Sequence, residues 1–238
     1  MKLNSREITK SILALLFLVL NTSPLYSITV DEIALKMKKA VDPDGVYAEC
    51  KSFYIRQKLT SKNNASLIIE STFKPPDRSI VTTSFNGLVI LKTVCDGDKA
   101  WSLAPNGEKK EIKGIDLERM IIHNRMSNPK NSIKDVFESI EVGEETLDGV
   151  ECYTLLCKPA MSQVAPFVFY VGKNDFLVKK ISTDRDGAKY DAVIRAYSKI
   201  DGVVTATETS ISFAGNEDTM TVMEFKLNVD VPDSEFGL

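Results

Sequence analysis

Seven of the twelve glycines in this chain follow Asn or Asp: Gly45, Gly87, Gly97, Gly107, Gly149, Gly187 and Gly202. Asn-Gly and Asp-Gly tolerate the positive φ that two-residue hairpin turns demand, so such a pair can reverse one strand directly into the next. From Val46 onward the apolar residues recur with a period of two. Together these signals predict strands over 46–59, 65–74, 78–86, 88–95, 99–104 and 109–113. A second set is predicted over 140–147, 150–158, 166–172, 175–183, 188–199, 202–214 and 217–229. Hairpin spacing of this kind describes an antiparallel meander rather than βαβ units. About a dozen such strands imply a large, curved sheet or barrel, since a flat sheet of that size leaves long edges.

Two places break the period. Ile33, Ala34, Met37, Ala40 and Val41 form one apolar helical stripe, with Asp31 as the expected cap and Pro43-Asp44-Gly45 as the stop. Between the two strand sets, 116–126 reads as a helix with Leu117, Met120, Ile121 and Met126 on one side. Asn128-Pro129 ends it, and 132–137 makes a second short helix. This insertion is apolar and lacks the Ser/Gly/Pro bias of a tether, so it is expected to cover one continuous sheet. Within the second set, Pro166 to Val171 is apolar on both faces, which predicts a central strand covered on both sides. Thr205 to Ser210 is polar and is expected to line a solvated face.

Residues 1–27 read as a signal peptide, with Lys2, Arg6 and Lys10 before an apolar core at Ile12–Leu20 and a small residue, Ser27, before the expected cut. The alternative is an uncleaved anchor. No cysteine follows the apolar core, so no lipidation site is expected. Residues 28–238 are then a single exported, soluble domain, expected to be periplasmic and monomeric. A net charge of −3 with no basic tract gives no reason to expect nucleic acid.

The four cysteines, Cys50, Cys95, Cys152 and Cys157, leave two readings open. In an exported protein they can form disulfides. Cys152 and Cys157 share one predicted strand and stand ~17 Å apart at ~3.4 Å per residue, too far to bridge. If all four pair, Cys50 or Cys95 must therefore bond Cys152 or Cys157. The other reading is four buried free thiols.

No catalytic constellation stands in the sequence. The single His123 has no nucleophile motif beside it and reads as a surface or satisfied histidine. No zinc spacing and no phosphate loop occur, and the Asp96/Asp98 and Asp184/Asp186 pairs read as turn residues rather than metal ligands. No cofactor is expected, and the chain does not read as an enzyme. What remains is apolar surface. Ile69, Phe73, Ile90, Trp101, Leu103, Phe167, Phe169, Phe176 and Val178 are candidates for a concave apolar face, with Met120 and Ile121 of the insertion above it. They either fill their own core or wall a cavity for an acyl chain or other apolar ligand.

One family shares this order of elements. Lys74-Pro75-Pro76-Asp77-Arg78, followed by a strand pair and Val94-Cys95-Asp96-Gly97-Asp98-Lys99-Ala100-Trp101, then Asn106-Gly107, resembles the N-terminal half of LolA-like proteins. Gly149–Tyr153, Asp175–Val178, Tyr197–Val203 and Asn228–Pro232 resemble related outer-membrane lipoprotein-sorting proteins. The resemblance implies an open half-barrel whose concave face is covered by helices and shields lipoprotein acyl chains, each CH₂ kept from water being worth ~0.8 kcal/mol. It also implies lipoproteins or lipids, and inner- or outer-membrane proteins, as partners. Well-studied carriers place an arginine before the proline of Lys-x-Pro; here that position is Pro75 and Arg78 lies beyond it. The rival expectation is a sensor or protein-binding module on the same fold with a filled core.

Overall fold

The computed structural model describes residues 28–161 and 163–237; the expected signal peptide lies outside them. The chain opens with α1 (Val30–Val41). Its cap is Thr29 rather than Asp31: the Thr29 hydroxyl accepts from the Glu32 amide while the Glu32 carboxylate accepts from the Thr29 amide, a reciprocal capping box. Six strands follow: β1 (Phe53–Ser61), β2 (Ser66–Lys74), β3 (Arg78–Phe85), β4 (Leu88–Asp96), β5 (Lys99–Leu103) and β6 (Lys109–Ile112). Two helices intervene, α2 (Gly114–Ser127) and α3 (Ile133–Val136). Seven more strands complete the fold: β7 (Ser139–Leu147), β8 (Val150–Lys158), β9 (Phe167–Gly172), β10 (Val178–Arg185), β11 (Ala188–Ile200), β12 (Val203–Phe213) and β13 (Asn216–Leu227).

All thirteen strands form one antiparallel sheet in the order β6-β5-β4-β3-β2-β1-β13-β12-β11-β10-β9-β8-β7. Two meanders are thus joined through the β1–β13 pair, and β6 and β7 are left as unpaired edges. The helical insertion starts at one edge and ends at the other, so the chain itself must bridge the opening of the curved sheet. The fold is mainly β, an unclosed half-barrel with helices over its concave face.

Local chemistry explains where the strands begin. The first strand starts at Phe53, not Val46, because the Asp42 carboxylate accepts from the amides of Tyr47 (3.1 Å) and Ala48 (2.8 Å) and holds a turn there. Five turns carry positive φ at both central residues: Asn86-Gly87, Asp148-Gly149, Asp186-Gly187, Asp201-Gly202 and Ala214-Gly215. At Asp96-Gly97 the turn is shifted by one residue. Asp96 is the last residue of β4, paired with Lys99, and Gly97 takes the first turn position with φ 65°.

Register assigns faces, because cross-strand partners share a side of the sheet. Phe53 pairs with Phe73, Phe73 with Ser79, and Ser79 with Cys95, and this row faces the helices. Ile80 pairs with Val94, and Val94 with Trp101, on the opposite face. There the C-terminal tail covers them. Phe236, 1% exposed, packs on Ile80 and Val94, and Asp233 accepts from Lys74 (2.5 Å) and Arg78 (3.0 Å). Lys74 and Arg78 of the Lys-Pro-Pro-Asp-Arg stretch therefore hold the tail.

Two core clusters lie under the helices. Phe53, Phe73 and Phe225 stack at centroid distances of 5.2 and 5.9 Å in the middle of the sheet. Ile33 of α1, Ile122 of α2 and Val136 of α3 pack with Leu155, Phe169 and Val171 on the β8–β9 arm. β9 is third from the edge rather than central; Phe169 and Val171 are buried beneath the helices, and Val168 and Tyr170 on the outer face stay half-buried.

The four cysteines are buried free thiols. The disulfide reading is thereby corrected: Cys95 is on β4 and Cys152 and Cys157 are on β8, nine strand steps apart in the sheet order. Burial raises the Cys95 thiol to about 11 and the Cys157 thiol to about 12.

Candidate functional site: an apolar lumen under a latched helix

Between the sheet and the helices lies a lumen of about 300 Å³. Its walls are Phe53, Ile55, Phe73, Val81, Val203 and Phe225 from the sheet, with Val41 and Tyr47 from the α1 end and His123, Asn124 and Ser127 from α2. No Lys, Arg, Asp or Glu side chain lines it. A second cavity of about 210 Å³ lies between α1, α2, α3 and β9, walled by Met37, Met126, Pro129, Ile133, Phe137 and Phe169. Val41 and Tyr47 belong to both and form the partition between them. A third hollow of about 480 Å³ lies on the outer face, and its walls are mostly polar, with Thr60, Lys62, Asp191, Arg195 and Glu217 among them. Only the first two offer an apolar ligand shelter from water.

Hydrogen bonds add to the core packing of Ile122 in fastening α2 over the lumen. The Asn124 amide donates to the Asp77 carbonyl (3.1 Å), and the Asn128 amide donates to the Pro76 carbonyl (3.0 Å). Both side chains are buried, at 2% and 7% exposure, so each bond is made away from water. The Tyr47 hydroxyl donates to the Ser127 carbonyl (3.1 Å), and burial raises its pKa, keeping the proton on the oxygen. Near the other end of α2, Arg119 pairs with Asp186 of the β10–β11 turn at 2.9 Å. The helix is thus tied to the β2–β3 turn of one meander and the β10–β11 turn of the other.

The candidates named from sequence separate into groups. Phe73 lines the lumen, Phe169 lines the second cavity, and Ile69 shares the inner face with Phe73 through its pairing with Gln57 and Thr83. Phe167, Phe176 and Val178 pack against the core of the β8–β9 arm. Met120 and Ile121 are half-buried on α2 and line neither cavity, while Ile122 takes the core position there. Trp101 and Leu103 are corrections. They lie on the outer face, Leu103 against the Ile80–Val94–Phe236 cluster and Trp101 beneath the Lys109 ammonium at 4.8 Å. Ile90 is also a correction: it is the extra residue where the β3–β4 register slips between Thr83 and Ser84, and it stands 42% exposed.

Sequence reading missed Asn124, Asn128 and His123. A signal existed for the first: asparagine is a poor helix former, yet Asn124 sits inside α2, whereas Asn128 caps its C-terminal end. His123 is exposed, as a surface histidine was expected to be, although the surface it exposes faces the lumen. Its imidazole lines the lumen, and the protein around it lowers its pKa by desolvation.

No protein-family model matches the sequence, and no curated protein does. Solved structures do. A DUF1329 family protein from Desulfovibrio piger matches with TM-score 0.60 at 18% identity, covering 86% of this chain and 94% of that one. An outer membrane lipoprotein-sorting protein domain from Vibrio parahaemolyticus matches with TM-score 0.61 at 14% identity, covering 87% and 95%. A LolA superfamily protein from Nitrosomonas europaea matches with TM-score 0.61 at 13% identity, covering 89% and 99%. At these identities the shared property is the fold.

Proposed function

We propose that this chain, which has the LolA-like fold, is an exported carrier that holds lipoprotein acyl chains or a similar apolar lipid in the lumen and contributes to outer-membrane lipoprotein sorting. The observation that carries the reading is an uncharged, apolar cavity beneath a helix held by hydrogen bonds that can be broken one at a time. A filled core would have no reason to leave such space under a latched lid. In this reading the periplasm is its compartment, the signal peptide is removed near Ser27, the protein is monomeric, and it performs no catalysis. Mass spectrometry of an organic extract of the purified protein, together with uptake of a fluorescent fatty acyl probe, tests it. A lipid-free protein that takes up no probe overturns the carrier reading.

A second reading, a protein-binding or sensor module, has its own observation. Phe85, Leu88, Val89, Ile90 and Leu91 crowd the β3–β4 hairpin tip with exposures from 41% to 72%. A contiguous exposed apolar patch is characteristic of an interaction site. If the tip docks a membrane-protein partner, Leu88→Glu abolishes that docking while leaving acyl-probe uptake intact.

A further inference from the structure

The stretch Lys74-Pro75-Pro76-Asp77-Arg78 is gripped from both sides of the sheet. Lys74 ends β2, Arg78 begins β3, and the two are cross-strand partners. On the inner side the turn between them offers carbonyls to α2: Asp77 accepts from Asn124 at 3.1 Å and Pro76 from Asn128 at 3.0 Å. On the outer side the Lys74 and Arg78 side chains hold the tail. Lys74 donates to the Val231 carbonyl (3.1 Å) and to the Asp233 carboxylate (2.5 Å), and Arg78 donates to the same carboxylate oxygen (3.0 Å). The Arg78 guanidinium also lies 5.1 Å from the ring centre of Phe236, which is buried against Ile80 and Val94. Five consecutive residues thus carry the latch of the helix and the anchor of the tail at once.

We propose that the tail is a second latch on the lumen, acting from outside the sheet: while Asp233 and Phe236 are docked, the turn is fixed where α2 closes on it, and undocking of the tail loosens α2. The sign follows from charge and geometry. Lys74 and Arg78 are like charges directly opposite on adjacent strands, a destabilising arrangement, and the Asp233 carboxylate between them offsets it. With the tail undocked, that repulsion and an uncovered Ile80–Val94 surface act on the two residues that flank the turn. Only Pro75, Pro76 and Asp77 separate them, so a shift of the flanks displaces the carbonyls that receive Asn124 and Asn128. Hydrogen bonds weaken steeply away from their preferred geometry, and these two are buried, where a lost partner is costly. Control of lumen opening rests on the carrier reading; the coupling of tail to helix needs no ligand. The coupling is reciprocal, so closing of α2 favours docking of the tail as much as docking favours closing.

The test is amide hydrogen exchange on the ligand-free protein, followed residue by residue by NMR. Phe236→Ala removes the buried ring and is expected to speed exchange of the α2 amides about fivefold or more, the lower end of ordinary coupling between sites. Asp233→Asn removes the charge between Lys74 and Arg78 and is expected to act in the same direction by about two- to fivefold, in line with an exposed ion pair. In both variants the β11 and β12 amides keep their rates. Asn128→Ala, a change at the helix alone, is expected to speed exchange of the Glu235 and Phe236 amides, which bond the Pro232 and Asp233 carbonyls, by a comparable factor. Asp233 is 72% exposed at its side chain, so Asp233→Asn reports even if Phe236→Ala folds poorly. An α2 exchange pattern unchanged in both tail variants overturns the coupling, and so does an acceleration that β11 and β12 share equally. Tail amides that do not respond to Asn128→Ala overturn its reciprocity and with it the shared turn. Failure of the wild-type protein to take up an acyl probe overturns the carrier reading alone, because exchange is measured without ligand.

Discussion

His123 shows how a single side chain links the lumen to pH. Desolvation lowers its pKa from the ordinary 6.5, so in the folded state it stays neutral where the unfolded chain takes up a proton. Between the lowered folded value and 6.5 the unfolded state binds more protons, and stability therefore rises with pH across that window. The contribution is complete above 6.5 and is lost as pH falls towards the folded value. Urea unfolding at steps from pH 7 to pH 5 is expected to show a slope that His123→Leu flattens. Ala214 is a second informative residue. It sits at φ 49° in the β12–β13 turn, where the other two-residue turns of this type carry Asn or Asp. A left-handed conformation costs an L-residue with a Cβ about 1–2 kcal/mol, and Asn recovers part of this through local hydrogen bonding. Ala214→Asn is expected to add about 0.5–1 kcal/mol, read as a rise of a few degrees in Tm by calorimetry.

At the level of elements, the carrier reading makes α2 the part that must move. Asn124 and Asn128 spend their amides on backbone carbonyls of the β2–β3 turn, and Tyr47 spends its hydroxyl on the last turn of the helix. Replacing Asn128 with Ala removes a buried donor and strands the Pro76 carbonyl, a loss of about 1–3 kcal/mol. The expected signature is local: faster hydrogen exchange of the α2 amides and faster entry of an acyl probe, with β1 and β13 amides unaffected. An unchanged α2 exchange pattern would show that the latch does not govern opening. The helix was legible in the sequence as an apolar insertion between two sets of strands, and its bounds are close to those expected. Its lid mechanism was less so, because the carbonyls that receive the amides belong to residues 47 and 52 positions away. A hydrogen bond of that range leaves only one local trace, the asparagine inside the helix at position 124, where another residue would favour the helix more.

Across the whole molecule, the sheet order decides what the cysteines can do. Cys95 and the β8 pair stand on different meanders, and all four thiols are buried, with desolvation raising each pKa. Thiolate is the reactive form, so at pH 8 the native protein is expected to react with no equivalents of Ellman's reagent and the urea-unfolded protein with four. Reduction is expected to leave Tm unchanged. A native protein that lacks free thiols even when unfolded would restore the disulfide reading.

The alternation of the strands and the positions of their turns were written in the sequence, because both are local. A period of two and an Asn-Gly or Asp-Gly pair depend on a few adjacent residues, and twelve of the thirteen strands begin within three residues of expectation while the first is delayed by the Asp42 turn. Which face of each strand turns inward was not local. Trp101 and Leu103 look like cavity walls by composition, yet register through β3 and β4 puts them outside, beneath cover that includes a tail more than a hundred residues further on. The lumen itself belongs to the same class. Phe73, Thr205 and His123 face one space only because the β1–β13 pairing joins two meanders and the insertion between their edges must cross the gap.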